Sequence, residues 1–216
     1  MNKNYKVISF NYGKGNNSQR FLIEKNTSKR LLKITDIWED YVASEYTPKL
    51  FSINNPNFTD LNIDNATFIY EYEFIDGDTL SECAVDDNLF LKIIKMLLFF
   101  FSNNYFVWDC HIDNIVVRKG RPYFVDFGGL EKQPYNKKHY ICEFLMADCP
   151  EEFLANNYPE SYNTEAFTIY WIADQLIKRC ALNISEKSLS ILAKMHSKTI
   201  VNRYSSFAEI IDIFNH

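Results

Sequence analysis

The period of the apolar positions changes along the chain, and the change divides it in two. In the first part apolar residues come in short runs between turn-forming residues, the pattern of strands. Residues 6–10 alternate weakly, and Tyr12-Gly13-Lys14-Gly15-Asn16-Asn17-Ser18 makes a glycine turn before strand character resumes at 20–23. After a turn at Asn26-Thr27-Ser28-Lys29, a third strand is predicted over 31–34. Asp36 is placed to cap a helix running to about residue 44, with Ile37, Tyr41 and Val42-Ala43 as its apolar stripe. Thr47 to Phe51 begins another strand, residues 54–65 read as a polar loop, and strand character returns from Ala66.

The second part is mostly helical. Apolar side chains nearly surround a helix predicted over 87–103, which implies burial. Three more helices are predicted at 163–180, 185–195 and 205–214, the first two separated by only four residues, 181–184. Between these helical regions, two apolar runs at 115–117 and 123–125 flank the polar turn 118–122 and read as a β-hairpin. The turn Asp76-Gly77-Asp78 marks a boundary between a strand-rich part, 1–75, and a helical part, 76–216.

Composition narrows the class. With 47% hydrophobic residues in 216, the chain can build a full globular core. A net charge of −5 gives no polyanion-binding signature, so nucleic acid is not an expected partner. The most apolar stretch, 89–101, is too short to span a bilayer and carries Lys92 and Lys95, so a soluble protein without a membrane partner is expected. Five widely spaced cysteines with no CxxC pair point to a reducing compartment such as the cytoplasm.

Chemistry concentrates around the hairpin. Asp109, Asp113 and Asn114 precede its first strand, and Asp126-Phe127-Gly128 follows its second. Folding a hairpin brings its two ends together, so Asn114 and Asp126 come within reach of one another, with Asp109 five residues back. A carboxylate and an amide oxygen form the partial shell that Mg2+ completes with substrate phosphates. The glycine turn fits the same purpose, because backbone amides without a side chain in the way can approach a phosphate.

Asp109-x-x-x-x-Asn114 followed by Val125-Asp126-Phe127-Gly128 resembles the catalytic and metal-binding loops of the protein-kinase superfamily, in order and spacing. The resemblance extends over essentially the whole chain and implies an α+β fold with two lobes, a small antiparallel-sheet N-lobe and a mainly helical, reduced C-lobe. It implies ATP and Mg2+ as cofactors. Gly13, Gly15 and Ser18 then correspond to the glycine loop, with Ser18 where a third glycine is usual, and Lys33 to the phosphate-binding lysine of the third strand. Glu39 is the expected partner of Lys33, with Glu45 in reserve. Ala66 to Leu80 is similar to the strand and hinge between kinase lobes, with Tyr72 as gatekeeper and Glu73, Phe74 and Ile75 as backbone contacts to adenine. Asp109 becomes the residue that takes the acceptor's proton, Asn114 and Asp126 the metal ligands, and His111 either a helper near the transferring phosphoryl group or a supporting hydrogen-bonding residue. Cys149-Pro150-Glu151 and Arg203 resemble the pair that closes the activation segment, which predicts an ion pair between Glu151 and Arg203.

The departures from the family pattern carry information too. Val107 and Trp108 replace the usual His and Arg, and His111 stands where a lysine is common in Ser/Thr kinases. Residues 130–150 contain no Ser or Thr, so activation by phosphorylation of that segment is not expected. The expectation is a minimal Ser/Thr protein kinase acting on a protein substrate, with a protein activator as a further partner, similar to kinases that some pathogens deliver into the host cytoplasm. Two alternatives stand beside it. One is a small-molecule kinase resembling choline or aminoglycoside kinases, for which Tyr46 to Phe51, Ile75 to Leu80 and the acids Glu131, Glu143 and Asp148 are the relevant residues. The other is a nucleotide-binding pseudokinase that serves as an interaction module.

Overall fold

The computed structural model describes residues 5–10, 18–36, 38–54, 68–107, 109–132 and 164–216. The chain forms two compact units, Met1–Asp76 and Gly77–His216. The first is built on a five-stranded antiparallel sheet of β1 (Lys6–Phe10), β2 (Ser18–Lys25), β3 (Ser28–Thr35), β4 (Leu50–Ile53) and β5 (Phe68–Glu73), in the order β1-β2-β3-β5-β4. The β2–β3 connection is tighter than the predicted four-residue turn. Asn26 and Thr27 alone make it, both left-handed at φ 50° and 63°, as a two-residue hairpin requires. Ser28 and Lys29 therefore join the strand.

Strand alternation gives the sheet two different faces. On one, Phe21, Ile23, Leu32 and Ile34 form an apolar cluster with Tyr5, Val7 and Ile69 packed against it. On the other, the register places Arg20, Lys33 and Tyr70 side by side across three strands, with Leu22, Leu31 and Tyr72 in the next row.

The helix predicted over 36–44 is absent from the described residues of that stretch. Side chains outcompete the helical hydrogen bonds here. The Thr47 hydroxyl donates to the Val42 carbonyl (2.9 Å) and accepts from the Ser44 amide (3.0 Å), while the Tyr46 amide donates to Ser44 Oγ (3.0 Å). The Tyr41 hydroxyl donates to the Pro48 carbonyl and accepts from the Leu50 amide, so the segment is laced to the start of β4. A nine-residue helix gains little on its own, and these bonds offer its backbone a better outlet.

The second unit is organised around α1 (Asp87–Ser102), whose N-cap Asp86 accepts from the Leu89 amide at 2.7 Å. Its residues Leu89, Phe90, Ile93, Ile94, Met96, Leu97 and Phe100 are buried, in keeping with the near-continuous apolar pattern. Three small sheets surround it: β6 (Asp78–Thr79) with β9 (Ile115–Arg118) and β10 (Arg121–Phe124); β8 (Tyr105–Val107) with β11 (Leu130–Lys132); and β7 (Ala84–Asp86) with β12 (Ala181–Asn183). The β9–β10 hairpin turns on Lys119 and Gly120 alone, both at positive φ, so Arg121 and Pro122 lie in the strand instead of the turn. The short link expected at 181–184 is itself a strand, paired in parallel with β7. Helices α2 (Thr164–Arg179), α3 (Glu186–Met195) and α4 (Phe207–Asn215) complete the unit. Among the described residues no helix is long and apolar enough to cross a membrane.

Candidate active site

In the first unit, Lys33 lies on β3 and is buried, and its ammonium pairs with Glu39 Oε1. Although no helix presents it, Glu39 is held on three sides: its other oxygen accepts from the Tyr72 hydroxyl at 2.8 Å, and its backbone amide donates to the Tyr70 hydroxyl at 2.9 Å. Tyr70 and Tyr72 stack on each other, centroids 5.9 Å apart. Burial, then the neighbouring Glu39 carboxylate, pushes the Tyr72 phenol far above its ordinary range, so it remains a hydrogen-bond donor. Glu45, the reserve partner, is exposed in a turn.

The other nucleotide-site candidates of this unit are placed less completely. Ser18 opens β2 opposite Thr35, while Gly13 and Gly15 lie outside the described residues. At the end of β5 the Glu73 amide donates to the Lys49 carbonyl at 2.7 Å, so that N–H is occupied by the sheet. Phe74 lies beneath the Lys29 ammonium, and Ile75 is buried.

In the second unit, β8 leads into Asp109 and a turn at Ile112–Asn114 leads out of it into β9. The Asn114 amide nitrogen donates to Asp109 Oδ2 (3.2 Å) and to the Asp109 carbonyl (3.3 Å), which fixes the carboxylate and turns the Asn114 Oδ1 atom away from it. The hairpin does what its spacing demands: the Val125 amide donates to the Asn114 carbonyl at 2.9 Å, so Asp126 follows directly beside Asn114. One Asp126 oxygen accepts from the Gly128 amide at 3.2 Å. Among the described residues no cluster of three or more His, Cys, Asp or Glu side chains could hold a metal by itself. A two-ligand site of Asn114 and Asp126 fits Mg2+, which takes its remaining ligands from water and phosphate.

Several residues that position this loop were not identified from the sequence. A Cβ added to Gly129 would lie 2.7 Å from Asp109 Cβ, so only glycine lets the segment after Asp126 pack this closely on Asp109. Helix α2 supports the loop along one stripe. Thr168 donates to the Val107 carbonyl (3.3 Å), and the buried Gln175 side chain both donates to the Cys110 carbonyl (2.8 Å) and accepts from the Ile112 amide (3.1 Å). Arg179 reaches His111 Nε2 (2.9 Å) and Asp113 Oδ2 (2.8 Å). These three residues are seven and four apart, one face of a helix, and polar side chains on an otherwise apolar face were the available signal. Trp108 and Glu151 lie outside the described residues. Arg203, the expected partner of Glu151, is buried with its guanidinium donating to the carbonyls of Ala166, Ser197 and Lys198.

No family sequence model matches the chain, and no curated protein sequence matches it. The structure of the Cydia pomonella granulovirus kinase PK-1 is similar to this one with a TM-score of 0.67 at 14% sequence identity, over 96% of this chain and 92% of that one. In all, 1534 solved chains match, so the likeness is to a widely used architecture and not to one protein. An antiparallel sheet bearing a lysine–glutamate pair, followed by a helical unit with its loop of Asp109, Asn114 and Asp126, has the protein-kinase fold.

Proposed function

We propose that this chain is a phosphotransferase that moves the γ-phosphoryl group of Mg·ATP to a serine or threonine hydroxyl of a protein, without phosphorylation of its own activation segment. The observation that carries this reading is the buried Lys33–Glu39 pair. Burying two charges costs more than their attraction returns unless something else needs them, and apolar residues would serve a sheet better. A polyphosphate is such a need. The fold neighbour, itself a kinase by name, supports phosphoryl transfer in general.

The roles divide between the units. Lys33, steadied by Glu39 and through it by Tyr72, would bind the nucleotide's phosphates; the 73–75 segment would meet adenine. Asp109 would take the proton of the acceptor hydroxyl as its oxygen attacks phosphorus and the bond to ADP breaks. Asn114 holds that carboxylate in one orientation, so the proton acceptor is set before substrate arrives. Asn114 and Asp126 would hold Mg2+, which when bound neutralises phosphate charge. Cys83, Cys110 and Cys180 are free thiols, compatible with work in a reducing cytoplasm.

The test is Mg2+-dependent transfer of label from γ-labelled ATP to the chain itself and to generic protein substrates, with Asp109→Ala and Asp126→Ala alongside. Label in wild type that disappears in both variants is the expected result. ATP-induced thermal stabilisation without transfer to any protein would replace this reading with a small-molecule kinase or a nucleotide-binding interaction module. Addition of choline-like or aminoglycoside acceptors separates those two.

A further inference from the structure

The loop from Val107 to Asn114 carries no lysine or arginine of its own, yet an arginine is present beside it. Arg179, the last residue of α2, forks across two loop side chains: Nη2 donates to Asp113 Oδ2 at 2.8 Å, and Nη1 lies 2.9 Å from His111 Nε2. Ser81 closes the group by donating to Asp113 Oδ1 at 2.6 Å. His111 Nδ1 is 3.3 Å from Asp113 Oδ2 and equally far from the Asp113 backbone amide.

Those contacts cannot all be hydrogen bonds at once, and the guanidinium decides among them. Arginine has only donors and keeps its charge at any ordinary pH, so its approach to Nε2 is attractive only if Nε2 bears the lone pair. The ring hydrogen is then on Nδ1, where it donates to the Asp113 carboxylate, and the Asp113 amide is not bonded to the ring. The ring of His111 thus links Arg179 on one side to Asp113 on the other. The backbone of His111 in turn ties the ends of the loop together: its amide donates to the Asp109 carbonyl at 2.8 Å, and its carbonyl accepts from the Asn114 amide at 2.9 Å.

We propose that Arg179 is a positioning residue for phosphoryl transfer, fixing the His111 tautomer and the Asp113 carboxylate so that the backbone between them aims Asp109 and Asn114. The proposal rests on the phosphotransferase reading above. Its groups are one-third or more exposed, and exposed ion pairs contribute little to stability. The effect therefore belongs in catalysis and not in folding.

The experiment uses the full chain. Long-range 1H–15N NMR of the His111 ring is expected to show a protonated Nδ1 and an unprotonated Nε2 in wild type, and loss of that tautomer preference in Arg179→Met. In the same variant kcat should fall about 10²-fold, the cost of a small misplacement of reacting groups. KM for ATP should stay within about twofold and the melting temperature should move little. Arg179→Lys should not recover, because lysine lacks the planar fork whose two nitrogens meet the two partners, whereas added guanidinium ion should partly restore Arg179→Met. An Nε2-protonated ring in wild type, or an unchanged ring and unchanged kcat in the variant, overturns the proposal. A wild type that shows the expected tautomer but transfers no phosphate overturns the phosphotransferase reading, and the positioning role with it, while leaving the hydrogen-bonded arrangement intact.

Discussion

The two units hold their charged groups by opposite means. Lys33 and Glu39 are six residues apart and buried, so that each is the other's compensation for lost water. Asp109 and Asn114 are five residues apart, but their geometry is maintained by α2, far downstream in the chain, through Thr168, Gln175 and Arg179. On the proposed reading, function and stability in the first unit share one ion pair and cannot be separated by a single substitution. In the second they are carried by different residues, and single substitutions should pull them apart.

The sharpest separation is Asp109→Asn. The side chain keeps its shape and can still accept from Asn114, but it cannot take a proton. Transfer should fall by about 10³-fold, the scale of a lost general base. Melting temperature and ATP-induced stabilisation should be unchanged, measured by single-turnover kinetics and thermal shift. A large loss of stability would mean that Asp109 is a structural acid and would erase the contrast between the units.

Lys33→Met should do the reverse. It leaves Glu39 charged, buried and without its cation, a loss of about 3–5 kcal/mol in denaturant unfolding, together with loss of transfer. Adding Glu39→Gln should return most of the stability, because the neutral amide oxygen can still accept from Tyr72, and none of the activity. Such a split recovery cannot come from a pair that is only structural.

Gln175→Leu is the intermediate case. It strands the buried Cys110 carbonyl and Ile112 amide, at about 1–3 kcal/mol for each unmet group. Both the unfolding midpoint and kcat should drop, unlike Asp109→Asn.

What was legible in the sequence follows the same division. Lys33, Asp109, Asn114 and Asp126 stand out because the chemistry proposed for them needs fixed residue types at short spacings, and the hairpin and α1 stand out because turn residues and apolar periodicity are local. Glu39 was named on the expectation of a helix, and the structure brings it to Lys33 without one: the Ser44 and Thr47 hydroxyls redirect the backbone, a competition that periodicity does not register. Gln175 and Arg179 are polar residues within a predicted helix, and only the folded chain puts a distant loop against them. Gly129 follows Asp126-Phe127-Gly128 in the sequence with no motif of its own, and it is the glycine with Asp109 against it. The parallel pairing of β7 with β12 joins residues almost a hundred positions apart, beyond any local signal.

A smaller effect tests whether burial is truly what distinguishes the units. Glu71 is buried on the face of the sheet opposite Tyr70 and Tyr72, where it accepts from Ser52 Oγ (2.8 Å), Arg30 and Lys25. Burial alone would raise its carboxyl, but the bonds from Ser52 and Arg30 and the charge of Lys25 outweigh it and hold the group below its ordinary 4.5. Asp113 in the second unit is held low as well, its burial penalty outweighed by Ser81 and Arg179, but its side chain is 42% exposed. In both cases the folded value lies below the unfolded one, so each contributes stability that is present above the unfolded value and disappears as pH falls through the folded one. Water screens the Asp113 group far more than the Glu71 group. Unfolding free energy should therefore decline on acidification below about pH 4.5, the ordinary glutamate range. Glu71→Gln should flatten that decline more than Asp113→Asn, as followed by urea midpoints at successive pH values. Equal flattening would show that exposure does not set the strength of these contacts, and the contrast drawn between the units would then rest on connectivity alone.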